Sequence, residues 1–236
     1  MQENRKVAFL STYPPRECGL ATFTEDLVNA IDRIALVKPQ VIAVAAGAEV
    51  YEDARVVYKL RQQERESYSE TARWINTHVD LLVIEHEYGI FGGESGEYII
   101  DLVRNLKIPF VVTTHTVLEA PTIKQEEVLR ELGKMCTSLV TMAESSIPIL
   151  AGTYGMALEK ITVIPHGVPS MLVGARENLK TGHGLKDKQV ISSFGLLSPD
   201  KGIEYGIRAI AQVTAEFADV VYLVLGKTHP VVKEKS

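Results

Sequence analysis

The sequence predicts an α/β fold: a mostly parallel, doubly wound sheet followed by a truncated second unit of the same kind. Three observations lead there. Short apolar runs such as Leu81-Leu82-Val83-Ile84 and Phe110-Val111-Val112 show no polar alternation, as strands buried on both faces require. Strand and helix patterns return roughly every 25 residues, the βα rhythm of parallel sheets. The apolar runs also stop abruptly in polar residues, Glu85-His86-Glu87-Tyr88 and His115, where open α/β sheets place ligands.

In chain order, Lys6–Thr12 reads as the first strand, stopped by Tyr13-Pro14-Pro15 because proline cannot continue a ladder. Thr22 and Glu25 have capping-box spacing and predict a helix with Phe23, Leu27, Ala30, Ile31 and Ile34 inward. Val41–Ala46 and Arg55–Leu60 read as strands. A polar helix is expected between Glu64 and His78, with Trp74, Ile75 and His78 as its inner edge. Leu81–Glu85 is the next strand, followed by the loop HEYGIFGG, a helix near Gly96–Leu106 and the strand Phe110–Thr114.

A second capping-box pair, Thr122 and Gln125, opens a helix with Val128, Leu129 and Leu132 apolar. Ser138–Met142 is a short strand, a helix starts at Ser145 or Ser146 and ends at Gly155, and Ile161–Ile164 closes this half. From Pro165 to Lys188 the chain is Gly-rich, charged and without periodicity. Beyond it come the strand Gln189–Phe194, a turn over Gly195–Lys201, a helix with Ile203, Ile207, Ile210 and Val213 inward, the strand Val220–Leu225 and a loop from Gly226 to Pro230. The organisation expected is a first domain over 1–167, a linker over 168–188 and a partial second domain over 189–236. Two parallel strands and one helix cannot bury both faces of a sheet, so this second domain reads as incomplete.

A net charge of −5, with no basic block, argues against a nucleic-acid backbone as partner. The two cysteines, Cys18 and Cys136, lie far apart in unlike contexts. They form neither a disulfide scaffold nor a metal knuckle, and they suit a reducing, cytoplasmic location. No apolar run reaches the roughly 18–20 residues of a membrane span; a peripheral membrane contact is possible but unsupported. The start reads as a strand, not a signal peptide.

Several chemistries fail on spacing. Glu85, His86 and Glu87 are sequence neighbours without a Glu-x-x-His on a helix, which is not the usual zinc spacing, so no metal is expected. No Gly-x-Ser-x-Gly elbow exists for a serine hydrolase. Cys18 near a helix start could be an activated thiol, but it reads more simply as a small turn residue. The dinucleotide fingerprint Gly-x-Gly-x-x-Gly is missing after the first strand, where the chain reads TYPPRECGLATF. Three other turns could cradle phosphate: Cys18-Gly19-Leu20, Gly92-Gly93, and Ser193-Phe194-Gly195. The last stands between a strand and a helix that begins near Lys201, so backbone N–H groups, the helix dipole and an ammonium could meet one anion. The plainer reading is a turn glycine and a solvated lysine. His115 is weighed as a ligand-facing residue against a structural histidine, and His86, Glu87 and Tyr88 against loop-closing roles. Glu25 is first a cap. His166, with Gly167 allowing positive φ, pins a domain crossing or faces a ligand.

Taken together, STYPPRECGLATFTEDL, IEHEYGIFGGESGEY, PFVVTTHT, VIPHGVP, SFGLLSPDKGIEYGIRA and YLVLGKTHP resemble, in order, the retaining glycosyltransferases of the two-Rossmann-domain (GT-B) architecture, family 4. The resemblance implies an acceptor-side N-terminal domain and a nucleotide-sugar-binding C-terminal domain, with catalysis in the cleft between them. It implies transfer of a hexosyl unit from a nucleotide-diphosphate sugar to an acceptor hydroxyl with retention, and without a metal or a permanently bound cofactor. By the same resemblance Gly19 stands beside the donor phosphates and acceptor, His115 reaches the transferred sugar, Gly195 and Lys201 face the diphosphate, and His166 and Gly167 match the interdomain segment. His86, Glu87 and Tyr88 are assigned to the substrate side, with Glu87 and Glu25 as acceptor contacts.

Two departures stand out. Leu196 occupies the place of an arginine common after the Gly195 turn, and the family's Glu-x7-Glu segment, which holds the nucleotide ribose and donor sugar, would be expected well beyond residue 236. The expectation is therefore an acceptor domain plus the start of a donor domain, with little transfer by the 236-residue chain alone. The alternative is a non-catalytic sugar- or nucleotide-binding module or a partner-completed subunit, with self-association through the incomplete second domain. An epimerase or dehydrogenase is the weaker rival.

Overall fold

The computed structural model describes residues 5–34, 37–168, 174–228 and 232. The chain forms two compact units, 1–169 and 170–236.

In the first unit seven parallel strands lie in the order β3-β2-β1-β4-β5-β6-β7. They are β1 (Lys6–Ser11), β2 (Lys38–Ala45), β3 (Val56–Arg61), β4 (Leu81–His86), β5 (Phe110–Thr114), β6 (Ser138–Thr141) and β7 (Ile161–Val163). The helices are α1 (Gly19–Ile34), α2 (Arg65–His78), α3 (Ile99–Arg104), α4 (Ile123–Met135) and α5 (Ile147–Gly152). The chain runs outward from β1 through β2 to β3, then returns to the other side of β1 with β4. That reversal makes the carboxyl ends of β1 and β4 a topological switch point, where doubly wound sheets hold their ligands. This is the α/β architecture that the apolar runs predict.

Each sheet face has its own apolar layer. Alternate residues of β4 divide between them: Leu82 and Ile84 join a large core with Leu10, Ile42, Val112 and Leu129, whereas Leu81 and Val83 pack with Phe9, Val28 and Val41 under α1. The backbone ladder continues to the foot of the sheet, where Asp80 N–H donates to Lys6 C=O (2.8 Å) and Lys6 N–H donates to the Asp80 carboxylate (2.7 Å).

Helix starts and faces differ in places from the sequence expectations. Thr122 does cap α4, with Gln125 returning its side chain to the Thr122 N–H (2.8 Å), and Val128, Leu129 and Leu132 are buried as expected. Thr22 caps nothing, because α1 begins three residues earlier. The Cys18 sulfur accepts from the Ala21 N–H (3.4 Å) and takes the capping place. The earlier start turns the buried face to Ala21, Thr24 and Val28, and leaves Ala30 and Ile34 exposed. In α2 the inner face is Tyr68, Thr71, Ala72 and Ile75, set by the 3.6-residue period. His78 lies outside that face, stacked on Trp74 with ring centroids 4.4 Å apart.

The second unit holds α6 (Arg176–Gly182), β8 (Gln189–Phe194), α7 (Ile203–Glu216) and β9 (Val220–Leu225), with β8 and β9 parallel. The stretch expected as a linker, 168–188, includes α6; residues 169–173 lie outside the described residues, as do His229 and Pro230 of the last loop. Helix α7 turns Ile203, Gly206, Ile210 and Val213 toward partial cover, with Ile207 exposed. At Gly206 a Cβ would stand 2.6 Å from the Tyr222 hydroxyl, so α7 and that ring pack closely. No residue of α7 is fully buried, and Phe194 is 90% exposed.

Candidate functional site

The site is built on the carboxyl ends of β1, β4 and β5 in the first unit. Strand β4 pairs with β5 so that Glu85 lies opposite Thr113 and His86 opposite Thr114. Side chains alternate across a sheet, so Glu85, Thr113 and His115 share the α1 face, and His86 takes the other. The His115 backbone N–H extends the ladder by one bond to His86 C=O (3.0 Å). Its ring then meets Glu85, with Nε2 2.9 Å from Oε2. Glu85 is fully buried, while the His115 side chain keeps 13% of its surface exposed. Phe23, on the second turn of α1, sets its ring edgewise to His115 (4.8 Å between centroids) and also to His166 (5.1 Å). One aromatic ring thus lies between two histidines.

Gly19 is the first residue of α1, one turn before Phe23, and a Cβ there would meet nothing within 4 Å. The space in front of that helix start is open. Behind it the Cys18 sulfur also lies 3.2 Å from Thr12 Oγ1. The rest of the loop after β1 is tied down. Tyr13 donates to Asp53 (2.8 Å) and accepts from Arg55 (3.1 Å), and Arg55 holds the Asp53 carboxyl far below its ordinary range. Arg16 donates to Gln62 Oε1 (3.0 Å), whose amide in turn donates to Gly89 C=O (3.1 Å), linking the loops after β1, β3 and β4.

The three residues expected on the substrate side divide. His86 has no exposed surface, and burial, helped by the nearby His115, pushes its pKa down to about 3. Its ring packs against Tyr88 and Phe91, and neither nitrogen has a partner among the described residues. His86 therefore stands behind the rim as part of the wall, because strand alternation gives the crevice face to Glu85. Tyr88 is buried too; its hydroxyl lies 3.5 Å from that of Tyr154, and burial raises its pKa far above the usual value. Tyr154 then bonds both Leu118 C=O (3.0 Å) and Leu118 N–H (3.3 Å), holding the loop that follows His115. Glu87 accepts from Thr116 in the same loop.

The Gly92-Gly93 turn does not present itself to an anion. A Cβ on Gly92 would stand 2.1 Å from Gln62 C=O, and the Gly92 N–H is taken by the Tyr68 hydroxyl (2.7 Å). These glycines exist for close packing. Gly167 does not have positive φ; its carbonyl lies 2.6 Å from His166 Nδ1. Glu85 is a site residue that sequence reasoning missed, because the face it shares with His115 follows from the β4–β5 register.

In the second unit β8 and β9 end in facing glycines. Gly195 (φ +139°) donates its N–H to Leu225 C=O (3.0 Å), and Gly226 has φ +156°. Lys201 is exposed in a short 3-10 turn just before α7, and Gly202 (φ +61°) joins the two.

A scan against protein-family models gives no match, and a search of curated proteins gives none. Solved structures do share the fold. A glycosyltransferase from Rickettsia africae superposes with a TM-score of 0.67 at 16% identity, covering 99% of this chain and 64% of its own. HepE from Anabaena, in complex with UDP and glucose, gives 0.62 at 14%, covering 98% and 63%. MnaA from S. aureus, solved with UDP, gives 0.59 at 13%, covering 98% and 65%. The fold is GT-B-like. The chain spans just under two thirds of the length of each of these proteins, and at such identities the GT-B likeness is one of fold. Among the described residues no helix is long and apolar enough to cross a membrane.

Proposed function

We propose that the chain belongs to a retaining nucleotide-sugar glycosyltransferase of the family 4 kind, moving a hexosyl unit to an acceptor hydroxyl. The observation that carries this reading is His115, a partly exposed imidazole held by a buried carboxylate at the switch-point end of a doubly wound sheet. The fold likeness to proteins solved with UDP supports a nucleoside diphosphate as the donor's leaving group.

In this reading a sugar–diphosphate bond breaks with little acid help once the departing charge is held. The Gly195 turn and Lys201 supply that stabilisation in the second unit. In the first, the open helix start at Gly19 receives donor phosphate and acceptor. His115 steadies the oxocarbenium-like sugar or its hydroxyls, and does not attack it. His166 and Gly167 belong to the donor side, and Glu87 and Glu25 to the acceptor. His86 and Tyr88 serve by shaping the wall behind His115. The domains proposed are 1–167 and 189–236, and the 236-residue chain is expected to bind nucleotide with little turnover.

Calorimetric titration of UDP and GDP into the chain tests this. One of them should bind, and Lys201→Ala should weaken it by roughly tenfold, the value of one charge-assisted contact. Addition of the sugar-bearing form should perturb His115. Absence of binding by either nucleotide at millimolar concentration would sink the proposal. Binding by wild type and Lys201→Ala alike would favour a nucleotide-binding module whose anion site lies elsewhere.

A further inference from the structure

Glu85 presents an unusual arrangement for a carboxylate. It is fully buried, its Oε2 lies 2.9 Å from His115 Nε2, and its Oε1 has no partner among the described residues. Taking a carboxylate out of water costs several kcal/mol unless a partner compensates, so an acid with one partner is fixed to that partner. His115 is in turn confined from two more sides. Its backbone N–H is bound to His86 C=O, and Phe23 lies against its ring. Its Nδ1 makes no hydrogen bond among the described residues and is not among the buried unsatisfied atoms.

We infer that Glu85 is the positioning residue for His115: it accepts the Nε2 proton, fixes the ring, and leaves Nδ1 as the atom offered to the ligand. The inference rests on the proposed role of His115 only for what that ligand is. Which nitrogen carries a proton is set by what the other nitrogen's neighbours accept or donate. With Oε2 as the acceptor of this bond, the proton stands on Nε2. Neighbouring His86 cannot substitute, because strand alternation sends it to the opposite face.

The pairing is readable by NMR on the full chain carrying 15N-labelled histidine, with His115→Ala used to assign the ring signals. In the unaltered protein Nε2 should bear a proton protected from exchange with water. A proton found only on Nδ1, or an Nε2 proton exchanging as freely as in an exposed histidine, would overturn the assignment without any variant being made. Glu85→Gln, matched in size, should shift the His115 ring resonances and speed exchange of the Nε2 proton, while Glu85→Asp should restore them in part. Ring signals unmoved in Glu85→Gln would also overturn it.

Added UDP-glucose or GDP-mannose separates the two claims. Perturbation centred on Nδ1 supports both. A protected Nε2 proton with no response to either sugar nucleotide keeps the Glu85 pairing and removes these donors from the functional reading. Perturbation centred on Nε2, with loss of its proton, contradicts the pairing.

Discussion

Gly226 lies so close over Gly195 that a Cβ added to it would stand 1.8 Å from the Gly195 carbonyl oxygen. The two glycines end adjacent parallel strands, and both have φ values that side chains disfavour. Gly226→Ala should therefore force the ends of β8 and β9 apart, at a cost of about 2 kcal/mol or more. Faster hydrogen exchange at the β8 and β9 amides would register this. Emission of Trp74, the one tryptophan and a first-unit residue, should stay unchanged.

His86 makes the first unit sensitive to mild acid. Its pKa falls from an ordinary 6.5 to about 3 in the folded chain, so below pH 6.5 the unfolded chain binds the proton that the folded one refuses. Stability is thus complete above that pH and declines as pH falls toward 3, by up to about 1.4 kcal/mol per pH unit. Urea unfolding followed by Trp74 emission, at several pH values between roughly 7 and 4, should show this slope. Both ring nitrogens lack partners among the described residues, so His86→Leu should remove most of it without loss at neutral pH. An unchanged slope in the variant would assign the acid sensitivity to another group.

Tyr154 fixes the loop after His115 through both backbone groups of Leu118. In Tyr154→Phe those groups lose a buried partner, at a cost of about 1–3 kcal/mol. The Trp74 unfolding midpoint should fall, and exchange at the Leu118 amide should quicken. If Leu118 exchange is unaltered, the hydroxyl is not what holds this loop.

Thr122→Ala removes the side-chain half of the α4 capping box and should lower first-unit stability by about 1 kcal/mol in the same unfolding experiment. Thr22→Ala should change stability little, because Thr22 is an exposed residue inside α1.

That last contrast shows what sequence could and could not reveal. Both threonines have the same spacing to a glutamate or glutamine, but a neighbouring cysteine had already capped α1. Strands were the most legible elements. Phe110–Thr114, Gln189–Phe194 and Val220–Leu225 fall within the bounds their β-branched runs suggest, since an apolar run bounded by turns leaves little choice. Helix α6, short and polar, has no apolar stripe to betray it. At the site, His115 was visible as the polar end of an apolar strand. The choice between Glu85 and His86 was not, because it depends on where β4 ends and on its register with β5.

The tie between Lys6 and Asp80 at the foot of the sheet takes on a second meaning from this. A slide of β4 by a single residue would exchange acid for imidazole beside His115 and move Leu82 and Ile84 out of their own core layer. What keeps the rim in phase is the whole β4–β5 ladder, from Leu82 opposite Phe110 to His86 opposite Thr114, with the Lys6–Asp80 pair adding its bonds on the β1 side. A one-residue deletion in β4 should be as harmful as the loss of the carboxylate itself.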